Sequence, residues 1–348
     1  MNREPGEFRP PRLLRNRHVQ SVLASSRLRR LAARGRTSHI ETHAQEVMLD
    51  CGNGVRLQGF HTAQRVRGSA RGLVVLLHGW EGSVESSYLL HTGARLLEEG
   101  FDVFRLHFRD HGATHHLNEG LFHSCMIDEV VGAVADIARR FPTPSLHVAG
   151  YSLGGNFALR VALRAPGAGI ALTHAVAVCP VISPRAGLSA IEAAPWFYER
   201  YFLIKWGGSL RRKQALYPGR FAFTPRDLRA SLRGLTQLLV ERHTEFGTLD
   251  NYLEGYSVAG RRLAALQVPV SILTSADDPI IPVDDFRELD LPPSARLDIA
   301  PFGGHCGFIQ DFRLRSFAEE YVTARVLGAE EVRERATSTP ETAATMAV

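Results

Sequence analysis

Four short, largely apolar runs constrain this chain more than any other feature: "LVVLLHG" (73–79), "FDVFRLHF" (101–108), "SLHVAG" (145–150) and "HAVAVCP" (174–180). Each is too short for a globular helix, and each reads as a strand buried on both faces. Between them lie segments of helical period. Ile127, Val130, Val131, Val134, Ile137 and Ala138 fall at i, i+3, i+4 and i+7, which predicts an amphipathic helix over 124–140. A second helix is expected over about 85–98, stopped by Gly100, and a third in "NFALRVALRA". Strands alternating with helices form βαβ units, so the fold class is α/β, with a mostly parallel central sheet and helices on both faces.

Two further stretches extend the sheet. "VPVSILTSADDPIIP" (268–282) carries one strand, and "ARLDIAPFGGHCGF" (295–308) carries the last strand and a Gly-rich turn. Upstream, "EVMLD" and "VRLQGF" flank Cys51-Gly52-Asn53-Gly54, and Asn-Gly between alternating runs predicts a β-hairpin. The strand grammar lapses over 182–261, which holds helical and aromatic segments and reads as a cap inserted into the core. The expected organisation is a basic N-terminal arm (1–44) with a helix over His18–Arg34, a core made of 45–181 and 262–327, the cap, and a disordered tail over 328–348. A closing helix is expected over 308–327.

Charge is unevenly distributed. Residues 1–36 hold ten Arg and two Glu, a charge of +8, whereas the whole chain carries +5, which leaves the body slightly acidic. Such an arm, with Val19, Val22, Leu23, Leu28 and Leu31 between its arginines, is a candidate for peripheral contact with an anionic membrane through residues 1–36. The alternative reading packs those apolar residues on the core. No nucleic-acid partner is expected. No apolar run reaches the length of about 18 residues that a spanning helix requires, and arginines interrupt any signal-like segment, so a cytoplasmic protein is expected. Cys51, Cys125, Cys179 and Cys306 are widely spaced without a CxxC, and read as reduced, isolated thiols.

The chemistry centres on "HVAGYSLGGNF" (147–157), where Gly150-x-Ser152-x-Gly154 follows an expected buried strand and precedes an expected helix. A serine on that tight turn stands exposed at the strand's C-terminal end, with the helix N-terminus aimed at the reacting centre. A hydroxyl needs a base to become a nucleophile, and His305 in "FGGHCGF" is the candidate. Asp277 and Asp278 are candidates to orient the imidazole. Asp278 is preferred because it directly precedes Pro279-Ile280-Ile281-Pro282, which leaves Asp277 to cap or brace the loop. The chain order serine, aspartate, histidine differs from both unrelated protease orders. The oxyanion hole is expected from the backbone N–H of Leu153, next to the serine, and of Trp80 in "LLHGWEG" (76–82).

These stretches, together with "FRPPRLLRNRHVQSVLAS", "EGSVESSYLLHTGARLLEEGFDVFRLHFRDHGA", "GYSLGGN" and "SADDPIIP", resemble the α/β-hydrolase superfamily over about residues 45–327, and within it the YheT-like branch. The resemblance implies an α/β-hydrolase fold and a serine hydrolase acting on a small-molecule carboxylic ester, some members acting on lipids. It implies no cofactor, with Ser152 as nucleophile, His305 as base and an aspartate of the pair as the third member. One stretch departs from the branch: "DHGATHHLNEGLFH" stands where relatives show a Gly-Cys-Ser-Gly-like turn and a Tyr-His. Residues 107–123 hold five histidines, His107, His111, His115, His116 and His123, without the helical i, i+4 pairing of a metal helix. They are read as a polar, loop-stabilising network, with no metal. The alternatives to an esterase are a non-catalytic or regulatory protein on the same fold, and a thioesterase or cofactor-free haloperoxidase with the same three residues.

Overall fold

The computed structural model describes residues 5–32 and 34–338. Eight strands form one sheet: β1 (Gln45–Asp50), β2 (Arg56–Thr62), β3 (Leu73–Leu77), β4 (Asp102–Leu106), β5 (Leu146–Tyr151), β6 (Leu172–Val178), β7 (Val270–Ser275) and β8 (Ala295–Ala300). Their order is β1-β2-β4-β3-β5-β6-β7-β8. The hairpin β1–β2 and the β2–β4 pair are antiparallel, and β4 through β8 run parallel. The expected Asn-Gly turn is present, with positive φ at Gly52, Asn53 and Gly54.

The central strands are apolar throughout because the sheet is covered on both sides. In β3, Leu73, Val75 and Leu77 enter one core while Val74 and Leu76 enter the other, and every one of the five is buried. β3 lies between β4, which follows it, and β5, which continues the sheet on the opposite side. That reversal opens a crevice beyond the C-terminal ends of β3 and β5, where α/β sheets bind ligands.

Among the described residues, twelve α-helices accompany the sheet. In the N-terminal segment are α1 (Arg17–Ala24), α2 (Arg27–Ala32) and α3 (Arg34–Thr42); in the core follow α4 (Ser87–Glu98), α5 (Ile127–Arg140) and α6 (Leu153–Arg164). Between β6 and β7 lie α7 (Pro184–Ala193), α8 (Phe197–Leu216), α9 (Leu232–His243) and α10 (Leu249–Gly255), with no strand of the sheet. α11 (Val283–Arg287) precedes β8, and α12 (Phe317–Ser338) closes the chain. α3, α4 and α12 cover one face, while α5 and α6 cover the other.

Two expectations are corrected at the ends. The single helix over His18–Arg34 is instead broken into two short helices, α1 and α2, with α3 beginning at Arg34. α1 and α2 break at Ser25-Ser26, and the Ser26 hydroxyl accepts from the Arg29 N–H. The closing helix begins at Phe317 rather than near 308 and continues to Ser338, so residues 328–338 of the expected tail are helical; 339–348 lie outside the described residues. The helix continues through Gly328, on either side of which Val326 and Glu330 are buried.

The N-terminal segment is docked on the core through Phe8, Leu14, Gln20, Ala24 and Ile40, all buried. Its anchor is an arginine. The fully buried Arg29 forms an ion pair with Glu319 of α12 and donates to the carbonyls of Ala24 (2.9 Å) and Leu314 (3.2 Å). Burial opposes ionisation of Glu319, but Arg29 and His91 outweigh it and hold the carboxyl below its ordinary range. A buried charge is tolerated only when paired and hydrogen-bonded in this way.

The helices between β6 and β7 are clamped comparably. Lys213 of α8 is fully buried and donates to Asp110 Oδ1 at 2.7 Å and to the His115 carbonyl at 3.2 Å. Among the described residues, no helix is long and apolar enough to cross a membrane.

Candidate active site

β5 ends at Tyr151 and α6 begins at Leu153, so one residue makes the whole turn. Ser152 adopts φ 54°, ψ −119°, a strained conformation for a residue with a Cβ. The two glycines flanking it are steric necessities. A Cβ on Gly150 would lie 2.1 Å from the Gly154 carbonyl oxygen, and one on Gly154 would lie 2.4 Å from that of Leu77. The turn is tied down by the Ser152 N–H donating to the Val178 carbonyl at 2.9 Å.

His305 and Asp278 converge on this serine. Ser152 Oγ lies 2.9 Å from His305 Nε2, and His305 Nδ1 lies 2.8 Å from Asp278 Oδ2. The Asp278 side chain is fully buried, and its other oxygen accepts from the Ile280 and Ile281 N–H groups at 2.8 and 3.0 Å. The "PIIP" stretch therefore supplies the amides that hold the carboxylate. Asp277 does not reach the imidazole; its Oδ1 accepts from the Gly304 N–H at 2.9 Å and braces the histidine loop. Burial of His305 works to lower its pKa, but the adjacent Asp278 outweighs that and holds the imidazole above the ordinary histidine range.

Trp80 and Leu153 border the same cavity as Ser152. The amides flanking that of Trp80 are occupied: Gly79 donates to the Tyr88 hydroxyl at 3.0 Å and Glu81 to His111 Nε2 at 3.1 Å. Among the described residues, the N–H groups of Trp80 and Leu153 have no protein acceptor. Two unpaired amides beside a serine are the donor set an oxyanion requires.

The histidine-rich stretch underlies this loop. His111 accepts from Glu81 through Nε2 and donates from Nδ1 to the Arg109 carbonyl at 2.7 Å, which fixes one neutral tautomer. His78 does the same between Phe108 N–H and the Gly79 carbonyl. Burial keeps both neutral, pushing His111 down to about 4 and His78 well below its ordinary value. These imidazoles act as hydrogen-bond spacers for the loop carrying Trp80.

The sequence did not disclose what holds the histidine loop. α1 lies directly on it. A Cβ on Gly304 would come within 2.3 Å of the Arg17 carbonyl oxygen, and one on Gly307 within 2.4 Å of that of Gln20. The buried Gln20 side chain donates to the Ile309 carbonyl at 3.0 Å and accepts from the Ile309 N–H at 2.6 Å. The His305 N–H donates to Ser21 Oγ at 2.8 Å. The glycines in "FGGHCGF" signal close backbone approach, but nothing local names α1 as the partner.

The cavity over Ser152 measures about 810 Å³. Trp80, Phe197, Phe202 and Trp206 line it with Leu188 and Ile191. The Trp80 ring stacks on Phe202 at 5.1 Å and meets Trp206 edge-on. Phe221 and Phe223 are buried in the cap's own core instead. The thiols require a correction: Cys179 and Cys306 are neighbours rather than isolated, the Cys306 N–H donating to Cys179 Sγ at 3.4 Å.

A family model described as "Serine aminopeptidase, S33" matches residues 68–290. The chain belongs to this family. It is an α/β-hydrolase of the YheT-like type, 26% identical over 312 residues to the Escherichia coli (strain K12) protein named "Putative esterase YheT", with 87% of each chain covered. Among solved structures it resembles the Pyrococcus furiosus esterase Pf2001, with TM-score 0.55, 17% identity, and 86% and 92% of the two chains covered. It also resembles a Mycobacterium smegmatis proline iminopeptidase, with TM-score 0.52, 17% identity, and 83% and 100% covered. At those identities the two structures speak to the fold.

The contact of α1 with the histidine loop generates a prediction. Gln20→Ala removes both bonds to Ile309, and a catalytic group misplaced by an ångström costs about a hundredfold. The rate constant for fluorophosphonate labelling of Ser152 is expected to fall at least tenfold in Gln20→Ala while thermal unfolding stays cooperative. Labelling at the wild-type rate would show that α1 has no part in setting the loop.

Proposed function

We propose that the protein hydrolyses carboxylic esters with apolar acyl chains through an acyl-enzyme on Ser152. The observation that carries this reading is the continuous hydrogen-bonded series from Ser152 Oγ through His305 to Asp278 at 2.9 and 2.8 Å, opening into an aromatic cavity. The name of the Escherichia coli relative supports an ester over other acyl substrates.

The chemistry follows from the positions. Ser152 Oγ attacks the ester carbonyl while His305 Nε2 takes its proton, and the resulting oxyanion is met by the N–H groups of Trp80 and Leu153. His305 then returns the proton to the departing alcohol. Water enters, gives its proton to His305 and releases the acid from Ser152. Asp278 keeps the imidazole in the tautomer that presents Nε2 to the serine and stabilises the imidazolium.

Ser152→Ala is expected to lower kcat by about a million-fold, as loss of such a serine does elsewhere. Asp278→Asn should lower kcat/KM by about ten-thousandfold and Asp277→Asn far less. The base works only when neutral, and Asp278 raises its pKa, so the acid limb of the residual pH–rate profile should move to lower pH in Asp278→Asn. Equal losses in the two asparagine variants, or a limb that moves to higher pH, would contradict these assignments.

Each buried methylene contributes about 0.8 kcal/mol, which is about fourfold in kcat/KM. Along p-nitrophenyl esters from acetyl to octanoyl, kcat/KM is expected to climb at up to that rate until the cavity is full. A flat series would rule out an apolar acyl site.

A second reading concerns the N-terminal segment, proposed as a peripheral contact with anionic lipid surfaces. Its support is the orientation of α1 and α2: Gln20, Ala24 and Arg29 turn inward, whereas Val22, Leu28 and Leu31 are 57, 65 and 54% exposed beside the exposed Arg30. Val22 and Arg30 also border the cavity. Leu28→Asp/Leu31→Asp should lose co-sedimentation with phosphatidylserine-containing vesicles at low salt while keeping turnover of soluble esters. Unchanged sedimentation of the double variant would overturn the contact.

A further inference from the structure

Cys179 and Cys306 stand where the site is most constrained. Cys179 follows β6, and Cys306 follows His305. Both have positive φ, 43° and 60°, in a region that non-glycine residues seldom occupy. Cys179 Sγ accepts from the Cys306 N–H at 3.4 Å and lies 3.9 Å from the Gly304 carbonyl oxygen, and Cys306 Sγ lies 3.8 Å from that of Val178. Cys306 borders the substrate cavity, which gives a solute a route to the pair. One ligating atom each from Cys179, His305 and Cys306 lie within 4.8 Å of one another, the one such group of three among the described residues. Any three points so spaced lie within about 2.8 Å of a common centre, against zinc–sulfur and zinc–nitrogen distances of about 2.3 and 2.0 Å, so a contraction of about half an ångström closes the site.

We propose that Cys179, Cys306 and His305 form a site for a thiophilic divalent cation such as Zn²⁺, and that its occupation switches the hydrolase off. Binding forms two metal–thiolate bonds and one metal–imidazole bond, and the two thiol protons pass to solvent. Two thiolates and a neutral imidazole balance the ion's charge, and a water or Ser152 Oγ completes the tetrahedron. Inhibition follows from geometry. His305 has two ring nitrogens, one 2.9 Å from Ser152 Oγ and the other 2.8 Å from Asp278. Whichever nitrogen the ion takes, one of those two bonds is lost, so a cation and a working base exclude each other.

The loss of activity rests on the esterase reading, whereas the binding does not, and the experiment separates them. Full-length Ser152→Ala protein is titrated with Cd²⁺, which reports thiolate ligation by ultraviolet absorbance. One thiolate-bound ion per chain is expected. The signal should survive Cys51→Ala/Cys125→Ala and disappear in Cys306→Ser and in Cys179→Ser. Ester turnover of the chain with Ser152 intact should be inhibited by Zn²⁺ and restored by EDTA, with the half-inhibitory concentration raised at least tenfold in Cys306→Ser. Absence of a cadmium–thiolate band, or one that persists without Cys179 and Cys306, overturns the site. Zinc inhibition equal in Cys306→Ser and the parent overturns the switch. A chain that binds Cd²⁺ as described but hydrolyses no ester overturns the esterase reading alone.

Discussion

The site depends on one backbone contact: the first turn of α6 lies so close to the end of β3 that no side chain fits between them. A Cβ on Gly154 would stand 2.4 Å from the Leu77 carbonyl oxygen and 2.5 Å from that of His78. This approach forces the strand-to-helix connection into a single residue, and Ser152 carries it at φ 54°. It also brings Leu153 and the loop after β3, with Trp80, to the same cavity as the serine. Buried strands permit this, since β3 and β5 are buried over their whole lengths, and the polar groups of β5, His147 and Tyr151, are paired with Glu330 and Thr92.

Around that contact, four remote segments are held by polar groups made safe through pairing. Asp278 is buried but has two amides and an imidazole. Lys213 ties the cap to the histidine-rich stretch, and Arg29 ties α2 to α12. Removing one partner from such a pair leaves a buried charge, which costs about 3–5 kcal/mol, so these residues lock geometry in place. Gln20 does the same without charge, using both ends of its amide on one residue of the histidine loop. The N-terminal segment is thereby part of the structure that holds His305.

Much of this was legible in the sequence, for physical reasons that can be named. Strands covered on both faces have to be continuous apolar runs, so β3 to β7 were visible. The Asn-Gly hairpin announces itself by requiring positive φ, and the elbow by requiring glycines on both sides of its serine. Asp278 could be separated from Asp277 because it directly precedes Pro279-Ile280-Ile281-Pro282, the stretch whose Ile280 and Ile281 amides hold the carboxylate in the structure. What escaped was long-range. α1 contacts Ile309 across 289 residues through a glutamine that nothing local distinguishes. Cys179 and Cys306 meet because β6 and the histidine loop end side by side, which spacing cannot disclose. α12 outruns its apolar pattern because polar residues on it are buried, notably Glu330 against His147 at 2.9 Å.

Hydrolysis by this route requires a covalent acyl group at Ser152. The direct measurement is intact-mass and peptide mass spectrometry of the protein quenched in acid during turnover of p-nitrophenyl butyrate. A mass increase of one butyryl group is expected on the peptide containing Ser152, formed with a burst of p-nitrophenol and absent in Ser152→Ala. Turnover with no acylated species and no burst, or acylation of another residue when Ser152 is intact, would contradict it.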